Sequence, residues 1–534
     1  MAVSKNSARS RRSNSVAANG TGSAFVCFFL AAAVMAAAVI WFYKTGATLL
    51  SGDAEAHLNI ARRILDSRTP GWNQIGTTWL PLPHLMMIPF VRYDELWSTG
   101  LAGAIPSAIC MALGATFFFS AVRRIFDSVP AGAAAAAVFL LNPNTLYLGS
   151  IPMTEPPLFA ALLALLYFTV RFQATQGYGA VVGAGLAATA ATLIRYEGWF
   201  LLPFVALFFL FTGGQRKWSA TFLFCALAAI GPVIWLAHNW WYFDDALYFY
   251  RGPWSAKAIQ GNKPYPGRGN WREAFEYYIA AGSLIAKWPA LALAAAGTLF
   301  ALATRAARWP ALLLVLPIAF YIWSLHSSGT PIFVPQLEPH GYYNIRYALA
   351  LVPLAAFGAA AFARYGKWPA FAVTLLALAP CLMDWNSHPI TWQEAEMNSR
   401  GRRVWIAQAT DYLRRNAHPG DTFFTSFNDM TAIYRTLSIP LRRTLTSDNY
   451  QEFLIAESRP DLLLREDWAV VMGGDSVQGI IDKARLHGPD YELDRRIFVK
   501  GQPVIEIYHR RTNLPTPLQS TPLQSTPLQA PPIL

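Results

Sequence analysis

The sequence predicts a polytopic α-helical membrane protein with about eleven spanning helices and a small α/β domain at the C-terminal end. Three observations carry that expectation. Of 534 residues, 54% are hydrophobic and 14% charged, where a soluble domain carries about 25% charged residues. Apolar runs of roughly 18 or more residues recur from Ala24 to Asp384, each long enough to cross a hydrocarbon core of about 30 Å as a helix. Basic residues punctuate the ends of those runs, which is the pattern of a membrane orientation signal.

In order along the chain, residues 1–21 are rich in Ser, Asn, Lys and Arg and read as a disordered basic segment on the cytoplasmic side. The apolar run Ala24 to Tyr43 exceeds the 7–15 residues of a cleavable signal core, so an uncleaved anchor is expected. A first outer loop, 45–98, follows. Within it Ala54, Leu58, Ala61 and Leu65 recur at helical spacing, the mark of an interfacial amphipathic helix. The stretch Leu80 to Val91 is broken by Pro81, Pro83 and Pro89, too short and too proline-rich to span, and reads as a juxtamembrane or re-entrant helix. Further spans are expected at 99–121, 129–147, 156–172, 178–194, 198–213, 218–237, 284–303, 309–325, 346–363 and 368–384. The transmembrane part is thus 22–384. Shorter alternating segments then predict an α/β domain over 385–513, with helices near 395–416 and 448–457 and strands at 422–426, 468–472 and 503–509. The tail, 514–534, repeats Thr-Pro-Leu-Gln almost without charge and is expected to be extended and disordered.

Alternating the spans from a cytoplasmic N-terminus collects Lys5, Arg9, Arg11, Arg12, Arg123, Arg124, Arg171, Arg216, Lys217, Arg305, Arg308, Arg364 and Lys367 on one side, with Asp127 the acidic residue among them. Positive charge accumulates on the cytoplasmic side, so an odd number of spans delivers the C-terminal domain to the extracytoplasmic face of the plasma (inner) membrane. The net charge of +12 is therefore an orientation signal. It is not gathered on a soluble face, and nucleic-acid binding is excluded. Cys27, Cys110, Cys225 and Cys381 all fall in apolar segments and imply neither a disulfide framework nor a zinc site.

Charged groups are expensive inside a bilayer, so their placement is informative. Here they avoid span centres and gather at helix ends on the extracytoplasmic side: Asp53, Glu55 and His57; Glu155; Arg195 and Glu197; His340, Tyr343, Arg346 and Tyr347. Asp53 and Glu155 each stand where a helix begins, so each reads either as a helix-capping carboxylate or as a general base. Arg195 and Arg346 read either as interfacial anchors or as phosphate ligands, because a guanidinium donates paired, charge-assisted hydrogen bonds. No two of His57, His84, His238 and His340 have a familiar metal-ligand spacing, and no metal site is assigned.

Read together, Gly52-Asp53-Ala54-Glu55-Ala56-His57, Pro81-Leu82-Pro83-His84, Met153-Thr154-Glu155-Pro156 and Asn344-Ile345-Arg346-Tyr347 resemble, in order and topology, the GT-C membrane glycosyltransferases. The likeness is to the branch of the dolichyl-phosphate-mannose protein mannosyltransferases and aminoarabinose transferases, over residues of about 24 to 385. The resemblance implies an enzyme that moves a sugar from a polyprenyl-phosphate donor to a glycan, lipid or protein acceptor at the extracytoplasmic surface. It implies Asp53 as the base, with Glu55 and Glu155 as catalytic partners, and Arg195, Arg346 and Tyr347 at the donor phosphate. His57, Glu197, His340 and Tyr343 fall to substrate binding. No cofactor is firmly implied, although relatives that pair acidic residues with a divalent metal leave metal dependence open. The competing expectation is a polytopic transporter or lipid-linked sugar flippase, which would place ionisable groups near the midplane in repeated halves.

Overall fold

The computed structural model describes residues 2–383, 387–426, 429–487 and 489–511, with side chains from Gly22 onward other than that of His487. The expected boundary at 384/385, the side chains of the N-terminal segment and the tail 514–534 lie outside the described residues. The first part of the chain runs α1 (Ala2–Lys44), α2 (Gly52–Leu65), α3 (Leu82–Val91), α4 (Leu101–Phe126), α5 (Val129–Leu140), α6 (Glu155–Thr175), α7 (Tyr178–Thr192), α8 (Glu197–Thr212), α9 (Lys217–Ala228), α10 (Ile230–Phe243), α11 (Trp271–Ile285), α12 (Lys287–Ala301), α13 (Arg308–Ser327), α14 (Leu351–Ala363) and α15 (Lys367–Met383). A 3-10 turn, Ile345–Ala350, leads into α14.

Among the described residues, six helical segments are long and apolar enough to cross a membrane: Gly22–Lys44, α4, α6, Gly214–Phe243, Arg305–Ser327 and Ile345–Ala363. The pair α11 and α12 makes a seventh if counted as one span bent by 115°. The protein is therefore an integral membrane protein of mostly helical, polytopic form. The helices α5, α7, α8 and α15 overlap the other expected spans but are shorter, 10–17 residues. At 1.5 Å per residue, α7 covers only about 22 Å.

Two features show how the bundle handles its own backbone. The break after Ile285 frees a carbonyl that lipid cannot satisfy; the amides of Asn142 and Asn144 donate to it at 2.9 and 3.2 Å. Where α12 crosses α14, the helices meet through Gly297 and Gly358, and a Cβ on Gly358 would lie 2.0 Å from the carbonyl oxygen of Leu293. Only glycine allows that approach.

The C-terminal part comprises α16 (Ile390–Asn416), β1 (Phe423–Thr425), α17 (Thr431–Thr436), β2 (Thr444–Leu445), α18 (Tyr450–Ser458), β3 (Trp468–Met472), α19 (Ser476–His487), β4 (Tyr491–Ile497) and β5 (Ile505–Arg510). Its five strands form one sheet in the order β2-β1-β3-β5-β4, parallel across the first three and antiparallel at β5 and β4. Strands β2 and β4 and the helices α17 and α19 lie outside the elements expected from the sequence. Between its end residues β4 exposes Glu-Leu-Asp-Arg-Arg, so it lacks the alternation that marks a half-buried strand.

This part does not stand apart from the helices. Leu58 and Ala61 of α2 and Met87 and Val91 of α3 share a core with Trp405, Phe423, Tyr434 and Trp468. Ion pairs reinforce the seam: Arg63 with Asp448 at 2.6 Å, Asp66 with Arg442 at 3.0 Å, and Arg68 with Glu452 at 2.9 Å and with Glu466. The helices α2 and α3 are thus clamped between bundle and sheet.

Candidate active site

Residues one helical turn apart share a face and residues two apart lie on opposite faces. On α2, Asp53 and His57 share a face, and Glu55 points the other way. No side-chain cap hydrogen bond forms at the start of α2 or of α6. The carboxylates of Asp53 and Glu155, each in a first helical turn, are drawn instead to one guanidinium. Arg346 donates from Nη2 to Asp53 and from Nε to Glu155 at 3.2 Å. Its third arm, Nη1, stands 3.6 Å from Glu394 of α16.

A second guanidinium completes the cluster. Arg195, in the turn between α7 and α8, donates from Nε to Glu197 at 2.7 Å and from Nη1 to Thr154 at 2.8 Å, and its Nη1 lies 3.4 Å from Glu155. Both guanidinium groups lie over the Tyr347 ring, 5.2 and 5.3 Å from its centroid. The opposite support is Tyr321, stacked on Tyr347 at 5.0 Å and donating its hydroxyl to Glu197. Glu155 is buried, and its Oε2 has no hydrogen-bond partner. One carboxylate oxygen of the cluster is thus unused.

His57 borders the cluster. Its ring packs 4.4 Å from that of Trp79, and its Nδ1 is hydrogen-bonded to Nε2 of His84 at 3.0 Å. Burial pushes His57 down to about 4, more strongly than Asp53 and Glu155 pull it up, and it likewise holds His84 well below its ordinary value. Both rings are neutral at pH 7. Burial would raise Asp53, but Arg346, His57 and Arg195 outweigh it and hold the carboxyl below its ordinary range. The Asp53 side chain keeps 38% of its surface accessible, so it is reachable from solvent as well as ion-paired.

Of the residues expected at a site, Asp53, Glu155, Arg195, Glu197, Arg346 and Tyr347 come together and His57 adjoins them. Glu55 does not. It is buried on the far face of α2, accepting from Asn59 at 3.0 Å and from Arg435 of α17 at 2.7 Å. His340 is exposed and pairs with Glu338 at 3.3 Å, and Tyr343 is half-exposed, its backbone paired with that of Phe333. Sequence reasoning missed Glu394, Tyr321 and the partnership of His84 with His57. Among the described residues no group of three or more His, Cys, Asp or Glu side chains could hold a metal ion.

Along α3, α4, α6 and α7 runs an open apolar groove of about 350 Å³. Its walls include Leu82, Met86, Pro157, Ala160, Ala187 and Ile194. Ile194 immediately precedes Arg195 and Pro157 follows Glu155 by two positions, so groove and cluster draw on the same helix ends.

Residues 96–241 match the family model for dolichyl-phosphate-mannose-protein mannosyltransferase, a GT-C family. Over that stretch the chain is similar to the mannosyltransferase family. The match contains Glu155, Arg195 and Glu197, while Asp53 and Arg346 lie on either side of it. No curated protein matches the chain.

Proposed function

We propose that the protein is a membrane glycosyltransferase that moves a sugar from a polyprenyl-phosphate donor to an acceptor on the extracytoplasmic face, with Asp53 as the general base. The observation that carries this reading is the bridging of Asp53 and Glu155 by Arg346 beside an apolar groove. A flippase would be expected to place its ionisable groups near the midplane of repeated halves.

The chemistry follows from the donor. Its anomeric carbon is bonded to a phosphate oxygen, and the polyprenyl phosphate leaves as a stable anion, so leaving-group protonation is not required. Cations beside the phosphate are required, and Arg346 and Arg195 supply them. The prenyl chain lies in the groove and places the phosphate at its mouth. An acceptor hydroxyl or amine attacks the anomeric carbon as the C–O bond to phosphate breaks, the bonding pair passes to phosphate, and the acceptor proton passes to Asp53. The unused Oε2 of Glu155 accepts a hydrogen bond from the incoming substrate. A single displacement inverts the anomeric configuration.

Supporting the orientation, the basic residues collect on the side opposite the cluster. Eleven spans then follow, with α5, α7, α8 and α15 completing the seven and the C-terminal part extracytoplasmic. The acceptor, whether glycan, lipid or protein, reaches Asp53 from the aqueous side. The test is Asp53→Asn: the variant should insert and fold, melting somewhat lower because Arg346 loses one carboxylate partner, but lose transfer from a polyprenyl-phosphate sugar by at least about 10²-fold, the lower range for a general base. Wild-type turnover by that variant would remove the mechanism.

A further inference from the structure

We infer that Glu394 is a positioning residue for Arg346, so that the chain beyond the last apolar helix completes the reaction centre. This rests on the donor-binding role given above to Arg346. Glu394 is the fifth residue of α16 and is buried. Its two oxygens accept the backbone N–H groups of Asn344 at 2.8 Å and Ile345 at 2.9 Å, and it stands 3.6 Å from Nη1 of Arg346. One carboxylate therefore holds both the backbone leading into Arg346 and one arm of its guanidinium.

That backbone needs holding. Asn344 has φ of 56°, a left-handed conformation that L side chains rarely adopt. Its own amide donates to the carbonyl of Pro331 at 3.0 Å, which fixes the turn from the other flank. A guanidinium on a long flexible stem donates to a phosphate in paired geometry only when its base is fixed. With Nε and Nη2 assigned to Glu155 and Asp53, Glu394 determines where the remaining donors point.

Two other roles for Glu394 make different predictions. A carboxylate that merely competed with phosphate for Arg346 would, once neutralised, leave a more positive site and tighter anion binding. A purely structural cap would lower thermal stability and leave the affinity of folded protein unchanged. Positioning requires the opposite of the first and more than the second.

The experiment measures binding of a polyprenyl phosphate, and donor and acceptor KM separately, in wild type and Glu394→Gln, with melting recorded alongside. The expected result is binding weakened about 10- to 100-fold, the range for losing one or two charge-assisted hydrogen bonds. Donor KM rises in step while acceptor KM stays within about twofold. Should the amide variant fail to fold, Glu394→Asp retains the charge but is one methylene shorter, and it should show the same split between donor and acceptor. Equal or tighter lipid-phosphate binding by the folded variants overturns the inference alone. Absence of any lipid-phosphate binding by wild type overturns the donor reading and the inference with it.

Discussion

Two neutral imidazoles buried beside the cluster tie this protein's stability to pH. In the folded chain His57 titrates near 4 rather than at its ordinary 6.5, because burial disfavours the charged ring. Between those values the unfolded chain binds a proton that the folded chain does not, so stability falls as pH drops through the window. One unit corresponds to about 1.4 kcal/mol, so the full window amounts to ~3 kcal/mol from His57, with His84 acting in the same direction. Melting curves recorded from pH 7.5 to 5 should shift steadily downward, and His57→Gln should flatten the shift. An unchanged slope in that variant would place the acid sensitivity elsewhere. Asp53, held below its ordinary range, stays ionised across the same interval, so activity lost near pH 5 should track unfolding rather than loss of the base. The residues legible in the sequence were those whose charge stands out at the ends of apolar runs: Asp53, Glu155, Arg195 and Arg346. Glu394 gave no such signal. It sits in a polar helix among Gln393, Glu396 and Asn398, and the loop it holds lies some fifty residues earlier. Tyr321 was hidden for the opposite reason, as one aromatic among many in an apolar span.

Among the elements, hydropathy located the apolar runs because each must be long and uncharged, but it did not show how they are bent. The sequence predicts a single span at 284–303, whereas α11 and α12 meet there at a bend of 115°. The cue lies in Asn142 and Asn144, which are remote in sequence and meaningful only once their amides reach Ile285. The amphipathic helix α2 and the proline-rich α3 were legible, because a stripe of apolar residues and a run too short to span each leave few alternatives. Close packing of α12 on α14 was not legible, since a glycine in an apolar helix is common. It yields a sharp expectation all the same. Gly358→Ala places a methyl 2.0 Å from a backbone carbonyl that cannot rotate away, so the two helices must separate. Overpacking of this kind costs about 1–3 kcal/mol, and the variant should melt several degrees lower and give less folded protein. A melting temperature equal to wild type would mean that the helices cross less closely than described.

At the scale of the whole molecule, the sheet domain is fastened to the helix that carries Asp53. Glu55 shows how. Sequence reasoning placed it beside Asp53 in the chemistry, yet two residues along a helix is half a turn, and the carboxylate instead meets Arg435 of the C-terminal part across a buried seam. Breaking a buried pair on one side strands the other charge, at about 3–5 kcal/mol, whereas replacing both partners is often close to neutral. Arg435→Met alone should therefore lower stability strongly, and Glu55→Gln with Arg435→Met should recover most of the loss. Because Asp53, Arg346 and Glu155 are untouched, the double variant should also transfer sugar at a rate near that of wild type once its stability is restored. Melting and turnover measured on the four members of the cycle separate the two roles of Glu55. If the double variant is stable but inactive, Glu55 belongs to the reaction centre after all; if it is stable and active, α2 is a two-faced element, with one face turned to chemistry and the other fastened to the domain that holds it in place.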